Sequence, residues 1–127
     1  MEGKIVRARR GRKWQDGGPA IPVPGMLEAI LLMHLRGGPA HGYDLAARLA
    51  EGGFSRLNPG LVYRALRGME ELGWIRSAWD GESSYGPPRR VYSLAPPGEQ
   101  AMGDLVRGLQ EIRRLIDDVI AAYERQI

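Results

Sequence analysis

A mostly α-helical chain with one small β-hairpin is the fold class this sequence predicts. Three observations predict it. Two short amphipathic segments, opened by His41-Gly42-Tyr43-Asp44-Leu45 and by Asn58-Pro59-Gly60-Leu61-Val62-Tyr63, follow one another closely. Two β-prone runs between Trp74 and Leu94 flank a tip of Asp, Gly, Glu, Ser and Pro. From Pro96 onward, apolar residues recur at alternating spacings of three and four.

The first 25 residues hold six Lys/Arg against Glu2 and Asp16, then Gly17-Gly18-Pro19, Pro22 and Pro24. No helical or strand period is sustained there, and prolines and glycines at this density oppose a packed element. They predict a flexible basic arm. Two readings stay open: an arm that orders on a polyanion through Arg7, Arg9, Arg10, Arg12 and Lys13, or a tail that aids solubility.

Met26 to Arg36 is apolar on nearly every side, which suits a core helix, and Gly37-Gly38-Pro39 ends it. The next helix runs from Gly42 to Glu51 with Leu45, Ala46 and Leu49 as its inner stripe. Asp44 lies in its first turn, where a negative charge suits the helix dipole. Asn58 then caps a third helix with Pro59 at its first position. Leu61, Val62, Ala65, Leu66, Met69 and Leu72 trace one face, and Gly60, Tyr63, Arg64 and Arg67 the other. Gly73 closes it. Two such helices joined by a glycine-containing turn form a helix-turn-helix unit.

Trp74–Trp79 and Arg89–Leu94 favour pleated packing, and the loop between them makes the pair a hairpin of the wing type. Helix, helix, helix, hairpin is the order of a winged helix-turn-helix. The last segment predicts one long helix. Met102, Leu105, Leu109, Ile112, Ile116, Val119 and Tyr123 form a heptad seam, and Val106, Leu115 and Ile120 widen it. The division expected is a basic arm (1–25), a winged helix-turn-helix DNA-binding domain (26–95) and a C-terminal dimerisation helix (96–127).

At 127 residues the chain suits one domain with an appendage, and it contains no cysteine, so disulfides and thiolate metal sites are excluded. The longest apolar run, Ala29 to Met33 and on past His34 to Leu35, is far short of the roughly 20 residues a membrane helix needs. With no apolar stretch of a signal peptide, the expected location is cytoplasmic. The net charge of +3 is unevenly spread. Residues 36–90 hold eight arginines against six acids, whereas residues 96–127 hold four arginines against six acids. That segregation points the arm and central domain, but not the tail, toward a polyanion.

A DNA-reading helix must carry side chains that reach base edges in the major groove. Tyr63, Arg64 and Arg67 have that reach, and Asn58 and Gly60 stand at the entering end. The other reading has Tyr63 completing the core and both arginines solvated. Tyr43 begins the preceding helix, whose free N–H groups suit a phosphate; a tyrosine buried under the turn is the alternative. Neighbouring strand residues point to opposite faces, so one of Arg89 and Arg90 can face the DNA backbone while the other pairs with an acid. Tyr92 and Leu94 share a core-facing side. One domain covers a half-site only, so selective binding calls for a second copy, and Leu105, Leu109, Ile112, Ile116, Val119 and Tyr123 are the expected dimer interface.

These residues resemble a known family, the PadR-type transcriptional regulators. The resemblance is carried by the apolar first helix, His41-Gly42-Tyr43-Asp44-Leu45, Asn58-Pro59-Gly60-Leu61-Val62-Tyr63-Arg64-Ala65-Leu66, Glu70-Glu71-Leu72-Gly73-Trp74-Ile75 and Gly86-Pro87-Pro88-Arg89-Arg90-Val91-Tyr92-Ser93-Leu94. It spans about residues 26 to 100. The family pattern usually has Ser where Asn58 stands, Thr where Leu61 and Val62 begin the helix, and Pro where Arg64 stands. The resemblance implies a homodimeric DNA-binding regulator, most often a repressor, with a C-terminal dimerisation helix. A small-molecule effector is implied by the resemblance alone, since Tyr123 is the only aromatic on the last helix. The basic arm is not part of the family's core pattern.

No catalytic constellation is present in the sequence. His41 and Asp44 have a spacing that can offer a metal two ligands, which makes a weak site. His34 sits in an apolar helix and reads as a core residue, and Ser83-Ser84 has no histidine near it in sequence. No enzyme, metal or cofactor is therefore expected. The reading from another functional class is a dimeric winged-helix module for protein contacts that does not bind DNA specifically.

Overall fold

The computed structural model describes residues 23–52, 58–80 and 89–126. The arm residues 1–22, including Arg7, Arg9, Arg10, Arg12 and Lys13, and the wing-tip residues 81–88 lie outside the described residues. The described elements are α1 (Met26–Arg36), β1 (Ala40–His41), α2 (Gly42–Glu51), α3 (Pro59–Glu71), β2 (Ile75–Asp80), β3 (Arg89–Leu94) and α4 (Pro96–Gln126). The chain is mostly helical with a small antiparallel sheet, as the sequence predicts.

Each boundary has a local cause. Gly25 precedes α1 with φ 83°, a left-handed conformation that favours glycine. Pro59 at the start of α3 has no N–H to leave unsatisfied, and the Gly60 amide donates to Asn58 Oδ1 at 2.7 Å. At its other end, the Gly73 amide donates to the Glu70 carbonyl at 3.0 Å and the Trp74 amide to the Met69 carbonyl at 2.9 Å. Gly73 sits at φ 80°. That paired closure is the Schellman arrangement, which satisfies carbonyls the helix would otherwise leave open. It also explains why β2 begins at Ile75 rather than Trp74: the Trp74 N–H is already used by the helix.

The sheet has one strand more than the hairpin expected. Its order is β1-β3-β2, with Ala40 opposite Tyr92 and His41 opposite Val91. Two residues too short to show a period form β1, so no sequence pattern announces it. In the hairpin, Ile75 faces Leu94, Ser77 faces Tyr92, Trp79 faces Arg90 and Asp80 faces Arg89. Since side chains alternate, Ala40, Ile75, Ser77, Tyr92 and Leu94 share the side that packs on the helices.

The core joins Leu31, Leu32 and Leu35 of α1 with Leu45 and Leu49 of α2, Val62, Leu66 and Met69 of α3, Ile75, Tyr92 and Met102. Leu72, expected on the inner face of α3, is instead exposed. It lies beside an open apolar groove of about 540 Å³ between α3, the start of α1 and Leu105. Helix α4 has 31 residues, about 46 Å at 1.5 Å per residue. Its start is clamped by close packing: a β-carbon on Gly98 would lie 2.1 Å from the Trp74 carbonyl oxygen, so only glycine fits. Ala101 and Met102 are buried and Leu105 half-buried against the core, while from Val106 onward the helix runs largely clear of it.

Candidate nucleic-acid interface

Helix α3 turns about 100° per residue, so burying Val62, Leu66 and Met69 decides where its other side chains go. Arg64 and Arg67 fall on the outward face and are exposed. Tyr63 flanks that face toward β3 and is 38% exposed. It neither completes the core nor stands free: its ring packs beside Gly42, where an added β-carbon would lie 2.9 Å from Tyr63 Cε1 and 3.3 Å from Tyr92 Cε2. Gly42 thus leaves the space in which the Tyr63 ring lies, and it does so without an unusual backbone conformation. Tyr43, 69% exposed at the start of α2, is not buried under the turn.

His41, Gly42, Tyr43, Tyr63, Arg89, Arg90 and Tyr92 line one cleft of about 270 Å³. It brings together the start of α2, the outward flank of α3 and the returning strand of the wing. Asn58 and Gly60 are exposed at the entering end of α3.

The two wing arginines differ. Arg89 is exposed. Arg90 is held: its Nη1 donates to Ser77 Oγ at 2.6 Å, and its guanidinium lies 4.4 Å from the centroid of the Trp79 ring. Ser77 Oγ in turn donates to Glu70 Oε2 at 2.5 Å. The acid expected to pair with one wing arginine is therefore Glu70, reached through a serine hydroxyl. This relay ties the C-terminal turn of α3 to both strands. Burial pushes the neighbouring Tyr92 phenol above its ordinary pKa, the Glu70 carboxylate adds to the rise, and Arg90 opposes it.

On the other side of the sheet, His41 bridges two acids. Its Nδ1 lies 3.5 Å from Asp44 Oδ2 and its Nε2 3.4 Å from Asp80 Oδ2. The sequence reading joined His41 to Asp44 alone, because Asp80 is far away in sequence and meets it only through the β1-β3-β2 register. Glu70, Ser77 and Trp79 carry no sequence signal for the same reason: they meet Arg90 only through the pairing of β2 with β3 and the packing of α3. Among the described residues, no group of three or more metal-ligating side chains is close enough to hold an ion.

The expected interface residues of α4 are graded along the helix. Leu105 is half-buried against its own core, Leu109 and Ile112 are half-exposed, and Ile116, Val119 and Tyr123 are open, Tyr123 at 65%. Ile112, Leu115, Ile116, Val119 and Ile120 make one shallow apolar strip. Among the described residues, no helix is long and apolar enough to cross a membrane.

Comparison with known proteins places this arrangement. The family model of the PadR-like transcriptional regulators matches residues 31–104. Among solved structures, a protein of Thermoplasma acidophilum described as a transcriptional regulator is 29% identical, with a TM-score of 0.67 over 76% of this chain and 92% of that one. A PadR family transcriptional regulator from Eggerthella lenta is 23% identical, with a TM-score of 0.65 over 94% of this chain and 90% of that one. A PadR-like transcriptional regulator from Bacillus cereus is 22% identical, with a TM-score of 0.63 over 77% of this chain and 94% of that one. The last two likenesses speak to the fold alone. The comparison with curated proteins found no match. With its family match spanning the helix-turn-helix, the wing and the start of the last helix, the chain belongs to the PadR-like family of transcriptional regulators.

Proposed function

We propose that this regulator binds DNA sequence-specifically as a homodimer and represses by covering promoter sites. The observation that carries the reading is the convergence of Tyr63 on the flank of α3, the start of α2 and the wing arginines around one cleft, together with the exposure of Arg64 and Arg67 on the same helix. In this reading α3 enters the major groove. Arg64 and Arg67 reach base edges, where an arginine can bond both acceptors of a guanine, and Tyr63 packs on a thymine methyl or bonds a phosphate. Asn58 and Gly60 let the backbone approach. Tyr43 and the first amides of α2 take a phosphate. Arg89 follows the flanking backbone, and Arg90 contributes its positive field from its fixed seat on Trp79. The arm cations Arg7, Arg9, Arg10, Arg12 and Lys13 add further phosphate contacts.

The homodimer reading rests on the apolar strip of α4. Ile116, Val119, Ile120 and Tyr123 are exposed in a single chain, and a second copy would cover them. Two reading heads held by paired α4 helices would meet half-sites about 34–36 Å apart if these are one turn apart. The functional division is then arm (1–25), reading domain (26–95) and pairing helix (96–127), working in the cytoplasm.

Selection of bound fragments from random duplex DNA tests the proposal. A two-fold symmetric enriched motif is expected. No enrichment over bulk competitor at moderate salt would overturn DNA reading and favour a winged-helix module for protein contacts.

A further inference from the structure

We infer that Glu70 is a positioning residue for DNA binding: acting through Ser77 and Arg90, it fixes the wing against α3 and so decides where Arg89 meets the phosphate backbone. The inference rests on the DNA-binding reading above and deepens it, because it keeps Arg90 inside the protein and gives the wing's phosphate contact to Arg89. The need for such a support follows from the sheet. The short strand β1 pairs only with Val91 and Tyr92 of β3. Beyond Val91, toward the tip, Trp79 and Asp80 pair with Arg90 and Arg89, and among the described residues no third strand lies beside them. A two-stranded ribbon is marginally stable when left to itself.

The relay meets that ribbon at its first unsupported pair. Ser77 and Trp79 stand two residues apart on β2 and share a face, and Arg90, opposite Trp79, shares it too. Arg90 Nη1 donates to Ser77 Oγ at 2.6 Å, and the Ser77 hydroxyl gives its one proton to Glu70 Oε2 at 2.5 Å. The serine oxygen thus accepts from a cation while its proton goes to an anion, so both bonds are charge-assisted. The Trp79 ring lies against the guanidinium, with 4.4 Å to its centroid. Glu70, Ser77 and Arg90 are half-buried, whereas Arg89, on the opposite face of β3, is exposed. Glu70 also lies one turn beyond Arg67 on α3. The helix proposed to read bases and the strand proposed to meet phosphates are therefore held in one fixed geometry.

The test is a salt series with the full chain on the duplex enriched by the selection, from about 50 to about 200 mM salt. Ser77→Ala and Glu70→Ala are each expected to bind about tenfold more weakly, the worth of one hydrogen bond to a charged group. Each should also lower the slope of log affinity against log salt by about 0.9, the mark of one lost phosphate contact. Arg89→Ala should do the same, and Ser77→Ala added to it should cost nothing more, since both remove the same contact. Ser77→Ala deletes a single oxygen and carries the test should Glu70→Ala unfold. Loss of an acid that positions nothing would tighten DNA binding. Tighter binding by Glu70→Ala therefore overturns the inference. A merely structural role would lower stability in urea but leave the salt slope of folded Ser77→Ala at the wild-type value, and that result, or losses that add in the double variant, overturns it too. Those outcomes spare the DNA-binding reading, because wild type still selects its duplex. Wild type without preference for any duplex removes both.

Discussion

Gly42 and Tyr63 fit together as notch and ring: the missing side chain at position 42 is the space in which the Tyr63 ring lies, with only 2.9 Å from a built β-carbon to Tyr63 Cε1. Through this contact the first turn of α2 sets where a side chain of α3 points. Alanine is otherwise the better helix former by about 1 kcal/mol. Overpacking a closed core costs about 1–3 kcal/mol, and here the cost lies at the low end because the half-exposed Tyr63 ring can give way. Gly42→Ala should therefore leave stability within about 1 kcal/mol of wild type and should weaken DNA binding by displacing Tyr63. Urea unfolding and operator titration check both; a variant more stable than wild type with unchanged affinity would contradict the packing.

Arg64 and Arg67 occupy the outward face of α3 and take no part in the core. Either one changed to alanine should cost about 1–3 kcal/mol of operator binding and relax preference at one position of the site. Reversing both to glutamate should abolish specific binding while circular dichroism stays that of the wild type. Retained specificity in the double variant would remove α3 as the reading helix.

Ile112 and Ile116 sit in the apolar strip of α4, beyond the part that packs on the core. Glutamate at both places two charges in any surface formed there, and an unpaired buried charge is strongly unfavourable. Sedimentation should show monomers with an intact reading domain. A doubly charged variant that stays dimeric would mean the pairing surface lies elsewhere.

The Tyr92 phenol is raised above its ordinary pKa chiefly by burial, so the folded chain holds that proton more tightly than the unfolded one. The stabilisation is complete below the unfolded value of about 10 and is lost as pH rises through the folded value. Wild type should lose stability from about pH 10 upward more steeply than Tyr92→Phe. Unfolding midpoints between neutral and strongly alkaline pH would show parallel curves if Tyr92 were not responsible.

Much of this is legible in the sequence, and for identifiable reasons. The apolar period from Val62 to Met69, the Asn58-Pro59 start and the Gly73 stop are local signals, and the helix they define runs from Pro59 to Glu71. The hairpin was visible as two β-prone runs around a polar tip. Missing from that reading were the strand Ala40–His41, too short for any pattern, and the exposure of Leu72, which depends on how much of α3 the start of α1 covers. The division of labour between Arg89 and Arg90 was seen as a consequence of alternation, but not the partner of Arg90.

Caps, turn residues and apolar spacing act over a few residues of chain, and they prescribe the helices, the hairpin, their order, the family likeness and the polar face of α3, but not the short strand β1. The folded arrangement alone sets Arg90 on Trp79 and Ser77, rests Tyr63 on Gly42, and puts His41 between Asp44 and Asp80. Apart from the His41–Asp44 pair within one helical turn, those contacts join positions from 11 to 39 residues apart. They are created by strand register and close packing, which no local pattern of residues encodes.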